Sequence, residues 1–162
     1  MLKDLLVSKK SSIVNNWVQL IVETYPEKTS GFLKSQKDRF SNPVGYAISN
    51  SIEKIFDEIS GGRNIEIVKN SLCDLIKIRA VQNFSPSQAT GFIFYLKKIL
   101  HELLEHEVIS EEFQTEIIDI ESYIDDVALA AFDLYMDARE KLFKIRVSEI
   151  KSQLAYNKGL TE

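Results

Sequence analysis

The sequence predicts an all-α fold: a bundle of about five to six helices ending in one long C-terminal helix. Three observations predict it. Apolar residues recur at steps of three and four along nearly the whole chain, and no stretch carries a strand signal of weight. The gaps between these runs hold helix-start chemistry, at Asn42-Pro43, Asn64 and Ser85-Pro86. From Glu111 to Asn157 neither glycine nor proline interrupts the pattern.

Composition narrows the class. The chain has 162 residues, 44% hydrophobic and 27% charged, with a net charge of −4, as a globular domain does. Six glycines and three prolines are too few for a collagenous or low-complexity chain. A single cysteine, Cys73, excludes an internal disulfide framework and a cysteine-based zinc site. The apolar runs are too short to cross a bilayer. The opening MLKDLLVSKKSS lacks a long apolar core followed by a small-residue cleavage site, so the expected location is cytoplasmic.

The elements follow in order. Leu6, Ile13, Trp17, Leu20, Ile21 and Tyr25 fall on one stripe, and Pro26 stops that helix by biasing Tyr25 away from helical angles. A polar stretch, Glu27 to Ser30, leads through Gly31 to a short piece over roughly Phe32 to Phe40. Asn42 caps the next helix, Pro43 opens it, and Ile48, Ile52, Ile55, Phe56 and Ile59 form its buried face. Gly61-Gly62 is expected to end it in a left-handed cap. Asn64 caps a helix whose core face is Ile65, Val68, Leu72, Leu75, Ile76 and Ala80. After the turn at 83–86, Ser85, Pro86 and Gln88 form a capping box. Ala89, Phe92, Ile93, Leu96, Leu100 and Leu103 then share one face as far as about Glu107.

Ser110, Glu111 and Glu112 open the last helix. Phe113, Ile117, Ile120, Ile124, Val127, Ala131, Leu134 and Ala138 step by four and three, close to a 3.5-residue repeat. The spacing then slips through Leu142 and Ile145 to Val147, Ile150 and Leu154, a stutter. About 45 residues at 1.5 Å each make about 67 Å. A compact chain of this size is about 40 Å across. The end of the helix must therefore project, bend or pack on another chain. Projection would expose Phe143, Val147, Ile150 and Leu154, which favours a homodimer.

Charge is segregated along the chain. From Ile99 to Ala138 there are twelve acidic residues and no Lys or Arg, whereas the last twenty-four residues carry six basic and three acidic groups. The acidic block reads as a solvated helix face, or as a docking surface for a basic partner. Nucleic acid, which needs cations, is a poor partner for it.

No catalytic constellation stands out. His101 and His106 are five residues apart, roughly 140° around a helix, so they do not form the i, i+4 pair of a zinc protease. Nor does either follow a glutamate by three. No metal site and no cofactor are expected. Haem, with His101 as axial ligand, is the alternative reading. Cys73 reads as a small buried hydrophobe.

Two segments are less ordinary. Gly45 in 40–46 and Gly91 after 78–88 sit within helical pattern, where glycine costs about 1 kcal/mol against alanine. A close helix crossing is the expected compensation. Arg79 falls near the inward stripe and needs a partner there. A core carboxylate or backbone carbonyls would serve, or an anionic ligand or partner group. The candidate ligand- or partner-binding residues are Arg79, Gln82, Phe84, Ser85, Gln88 and Tyr46.

These segments carry a resemblance. Trp17 with Thr24-Tyr25-Pro26, Phe32-Leu33, Asp38, Phe40, Asn42-Pro43-Val44-Gly45, Ile55-Phe56-Asp57, and above all 78–89 with Gly91-Phe92-Ile93-Phe94, resemble the RsbRD N-terminal domain family over roughly 5–140. The resemblance implies a bacterial sensory module, found in relatives at the N-terminus of stress-response co-antagonists and sensor histidine kinases. Its broader group implies a globin-like bundle without haem that dimerises and signals down a long exit helix.

The expectation is therefore a non-enzymatic, globin-like sensor or interaction module, with 1–140 as the sensory domain and 141–162 as the extension of the last helix. A homodimer is expected, with a STAS-domain protein or a histidine kinase as further partner and no membrane insertion. The dimer and output helix is expected to use Leu134, Ala138, Leu142, Ile145 and Ile150, with the stutter near Ala138–Leu142 as its adjustable point.

Overall fold

The computed structural model describes residues 2–35, 40–105 and 110–159. Asp38, His106 and Glu107, on which parts of the sequence reading fall, lie outside them. Among the described residues all regular structure is helical. The α-helices are α1 (Leu2–Val22), α2 (Glu27–Ser35), α3 (Pro43–Asp57), α4 (Ile65–Val81), α5 (Pro86–Thr90), α6 (Tyr95–Leu104) and α7 (Glu111–Gly159). A 3₁₀ turn, Gly91–Phe94, joins α5 to α6, so 86–104 is one helical run and the bundle counts six.

The caps are those the sequence implies. Asn42 Oδ1 accepts from Gly45 N at 2.8 Å, and Asn64 Oδ1 from Glu66 N at 3.1 Å. Ser85 and Gln88 form the reciprocal box, with Ser85 N donating to Gln88 Oε1 at 3.0 Å. Three local expectations need correction. The polar stretch after Pro26 is the first turn of α2, because glutamate there complements the helix dipole. The left-handed residue after Gly61-Gly62 is Arg63 (φ 56°); the two glycines instead belong to a wide π turn, Glu58–Gly62. The run predicted to continue from Ser85 to about Glu107 is tightened by the 3₁₀ turn, and its described helix ends at Leu104.

Every predicted core stripe faces inward. Trp17, Ile21, Ile48, Ile52, Ile55, Val68, Leu72, Leu75, Ile76, Ile93, Leu96, Ile124 and Val127 are completely buried in one cluster. Trp17 also donates from Nε1 to the carbonyl of Phe92 at 2.8 Å, fixing α1 against the 3₁₀ turn. The most extensive helix–helix contact is α4 on α7.

At 49 residues, α7 is about 73 Å long. Its inward stripe is buried at Phe113, Ile120, Ile124, Val127 and Ala131, and only half-buried at Leu134, Ala138 and Leu142. From Ser148 to Gly159 every residue is exposed, so the helix projects. The slip read as a stutter is not a break in the helix. Instead a second apolar stripe faces solvent at Ile118, Leu129, Phe132, Met136, Phe143, Ile150 and Leu154, with Val147 half-buried among them. At 100° per residue these fall within roughly a 60° arc, roughly 140° around from the core stripe. Leu129 is 66% exposed and Phe143 67%. The inward stripe ends at Ile145 and the outward one carries on.

Candidate functional site

The corner between α4 and α5 is where the structure concentrates polar chemistry in the core. Gln82 N closes α4 by donating to Ile78 O at 3.1 Å. Asn83 then adopts φ 60°, a left-handed angle that asparagine tolerates. Phe84 N reaches back to Arg79 O at 3.3 Å, and the Ser85 box starts α5.

Arg79 sits behind this corner, 0% exposed. Its Nη1 donates to Gln88 O at 2.9 Å, and its Nη2 to Thr24 Oγ1 at 2.9 Å and Ile21 O at 3.5 Å. The guanidinium therefore ties the end of α1 to α5. Its carbon lies 4.7 Å from the Phe84 ring centroid, 5.1 Å from Phe92 and 5.2 Å from Tyr25, so aromatic faces surround the charge. Tyr25 and Phe84 pack edge-to-face at 5.3 Å. Among the described residues no carboxylate pairs with Arg79, and its Nε–H and the Tyr25 hydroxyl have no hydrogen-bond partner. Burial pushes the Arg79 pKa down, opposed by Tyr25 and Tyr95. Burial also raises the Tyr25 pKa, against the pull of the Arg79 charge. The partners of Arg79 are thus backbone carbonyls and one hydroxyl.

The long helix holds the same corner from its other side. The Tyr135 hydroxyl donates to the carbonyl of Phe84, and Arg139 Nη1 to that of Ala80 at 3.1 Å. The Ala80 carbonyl is in the last turn of α4 and the Phe84 carbonyl is in the turn that follows, so α7 is hydrogen-bonded to both sides of the corner two turns before the helix leaves the globule.

Of the candidate residues, Arg79, Gln82, Phe84, Ser85 and Gln88 share this corner. Gln82, Ser85 and Gln88 are exposed, and the latter two are engaged with each other in the capping box. Tyr46 belongs elsewhere, in a surface cavity of about 470 Å³ formed by α1, α2 and α3 with Val18, Val22, Leu33 and Gly45. Leu134, Ala138, Leu142 and Ile145 line a groove of about 290 Å³ against Cys73, Lys77 and Val81 of α4; Ile150 lies on the outward stripe. Cys73 is half-buried there rather than enclosed.

The expectation of close helix crossings at two glycines is overturned. A Cβ at Gly91 would meet nothing within 4 Å, and one at Gly45 would strike the capping side chain of Asn42 rather than another helix. His101 is on the surface, its Nε2 2.7 Å from Glu121 Oε1, and so does not present an axial ligand to the core. Among the described residues no group of three or more metal-ligating side chains forms, and no helix is long and apolar enough to cross a membrane.

Thr24, Tyr135 and Arg139 were not among the sequence candidates. Tyr135 and Arg139 each follow a core position by one, Leu134 and Ala138, which is the only sequence signal that sets them beside the α4 end. The outward stripe repeats the three-and-four steps of the core stripe and was legible only in its last third.

No curated protein and no solved structure matches the chain. Residues 11–150 match the family described as the RsbT co-antagonist protein rsbRD N-terminal domain. That span covers most of the sequence, including the whole Arg79 corner and the part of α7 that grips it, and the chain accordingly belongs to the RsbRD N-terminal domain family.

Proposed function

We propose that the chain is a non-enzymatic sensory module of stress-response signalling that reads the state of its globule through α7. The observation that carries this reading is the double attachment of α7 to the α4–α5 corner, at Phe84 through Tyr135 and at Ala80 through Arg139. Arg79 links the same corner to the end of α1. A signal that repacks the globule at α1 or α5 therefore displaces α7 with it. A ligand or partner shifts such an equilibrium only by its differential affinity for the two packings. The outward stripe supports pairing of α7 with a second copy, because its apolar residues from Leu129 to Leu154 are otherwise exposed. The family, described by its place in RsbT co-antagonist proteins, supports a partner in that signalling system; the recipient we propose is a STAS-domain protein or a sensor histidine kinase.

The test is sedimentation of the full chain at micromolar concentration, followed by calorimetric titration with a STAS-domain co-antagonist and a sensor kinase from the same cell. A dimer that binds one of them, with binding weakened in a folded Tyr135→Phe/Arg139→Ala variant, supports the reading. A monomer that binds neither overturns it.

A further inference from the structure

The inward stripe of α7 outlasts its cover. Leu134, Ala138 and Leu142 are only half-buried, and Ile145 is 54% exposed. The helix lying along this stretch, α4, ends at Val81. Between the two runs a groove of about 290 Å³, with Val81, itself 64% exposed, on one wall and Leu142 and Ile145 on the other. Each wall also contributes one lysine, Lys77 from α4 and Lys141 from α7. Among the described residues neither forms an ion pair, and nor does Asp137, the one acidic residue of the lining. The geometry points to a binding site for a free, single-chain anionic amphiphile, its alkyl chain laid along the groove and its head group at the two lysines. This rests on the sensory reading above and names the class of ligand.

Size and charge select this occupant. Leu134 and Ile145 are eleven residues apart, about 16 Å along the helix. A partner helix about 10 Å across would take about 1,300 Å³ over that length, several times the groove. The volume instead lies near the lower end of small-molecule sites, about 300 Å³, and suits one alkyl chain. Apolar side chains on both walls take the chain out of water while the head group stays at the rim. Two cations against one carboxylate leave the groove net positive, which favours an anionic head over a cationic one. The outward stripe lies roughly 140° around α7, so pairing there leaves this groove open.

The groove also sits where a ligand can act. Arg139 of α7 donates to the carbonyl of Ala80, the neighbour of Val81, at 3.1 Å. A chain lying between α4 and α7 touches both helices beside that bond, so its affinity depends on the angle at which α7 leaves the globule. A packing that keeps the groove open binds the ligand, and one that closes it does not. That difference in affinity is what shifts an equilibrium between two packings.

Cys73 lines the groove, half-buried, and is the single thiol of the chain, so its alkylation reports occupancy. With monomeric dodecanoate as the probe, iodoacetamide labelling of the full chain is expected to slow to a plateau, and calorimetry to give one equivalent bound. Octanoate, four methylenes shorter, is expected to bind at least about tenfold more weakly, since even a half-buried methylene is worth about a twofold gain. Dodecyltrimethylammonium is expected to give no protection. Lys77→Gln/Lys141→Gln, a surface change, is expected to weaken dodecanoate about tenfold, roughly threefold for each exposed charge pair. Ala138→Trp, which fills the groove, is expected to abolish binding. No protection by dodecanoate, equal protection by the cation, or undiminished protection in the lysine variant would each overturn the site. Protection by anionic vesicles alone would make the groove part of a membrane-facing surface and overturn it too. So would a thiol shielded in a dimer but labelled on dilution to monomer, which would give the groove to a second copy. Dodecanoate that binds here yet leaves the affinity for the signalling partner unchanged would support the site and overturn the sensory reading.

Discussion

Arg139 donates to the carbonyl of Ala80 from a point on α7 one turn beyond Tyr135, whose hydroxyl holds Phe84. The two bonds bracket the end of α4, so they resist rotation of α7 as well as sliding. Tyr135→Phe and Arg139→Ala are each expected to cost about 1 kcal/mol, the usual net worth of one hydrogen bond. Urea denaturation checks this, with the midpoint lowered and the slope unchanged because the surface exposed on unfolding is the same.

Arg79 predicts a larger loss. Arg79→Ala removes three hydrogen bonds and three aromatic contacts, and leaves a cavity in the core beside the Gln88 carbonyl, which loses the guanidinium donor, while Ile21 O keeps Thr24 N and Oγ1. About 3 kcal/mol is expected, in the range for breaking a buried polar network. For a chain of this size that lowers Tm by roughly 6–12 °C. Scanning calorimetry checks it, and a Tm within 2 °C of the parent, about the effect of under 1 kcal/mol, would show that the network is not structural.

Tyr25 gives a pH prediction. Its pKa is raised in the folded chain, chiefly by burial. Below the ordinary tyrosine value of about 10 both folded and unfolded forms are neutral, and stability is unaffected. As pH rises through that value the unfolded chain loses the proton while the folded chain keeps it, so stability falls. Tyr25→Phe also removes a hydroxyl that has no partner. The variant is expected to match or exceed the parent's Tm at pH 7 and to lose less stability between pH 9 and 11. Tyr123, raised by burial as well, keeps part of the alkaline slope.

Local rules made most of the fold legible. Caps and three-and-four periodicity depend on neighbours in sequence, and Asn42, Asn64, Ser85 and Gln88 do in the structure what their types imply. The partners of Arg79 were not legible, because Ile21 and Thr24 are more than fifty residues away and two of the three bonds go to carbonyls, which every residue has. Tyr135 and Arg139 were hidden for the same reason. The outward stripe of α7 was legible only beyond Ala138, where no core residues compete with it; upstream, Leu129, Phe132 and Met136 are interleaved with the buried heptad.

Gly45 and Asn42 make a pair whose sign can be tested. Asn42 is fully buried, accepts from Gly45 N at 2.8 Å and donates to Leu33 O at 3.0 Å, so it joins α2 to the start of α3. A Cβ at position 45 would occupy the space of the Asn42 amide. Gly45→Ala is therefore expected to displace the cap and lower stability by about 1–2 kcal/mol, the worth of an N-cap. Asn42→Ala should cost at least as much, since it also removes the bond to the Leu33 carbonyl. In the Asn42→Ala background the collision is gone, and alanine's helix propensity, better than glycine's by up to about 1 kcal/mol, remains. Gly45→Ala is then expected to stabilise. A double-mutant cycle by urea denaturation reads the reversal directly. Equal destabilisation in both backgrounds would show that position 45 requires glycine for some reason other than the Asn42 side chain.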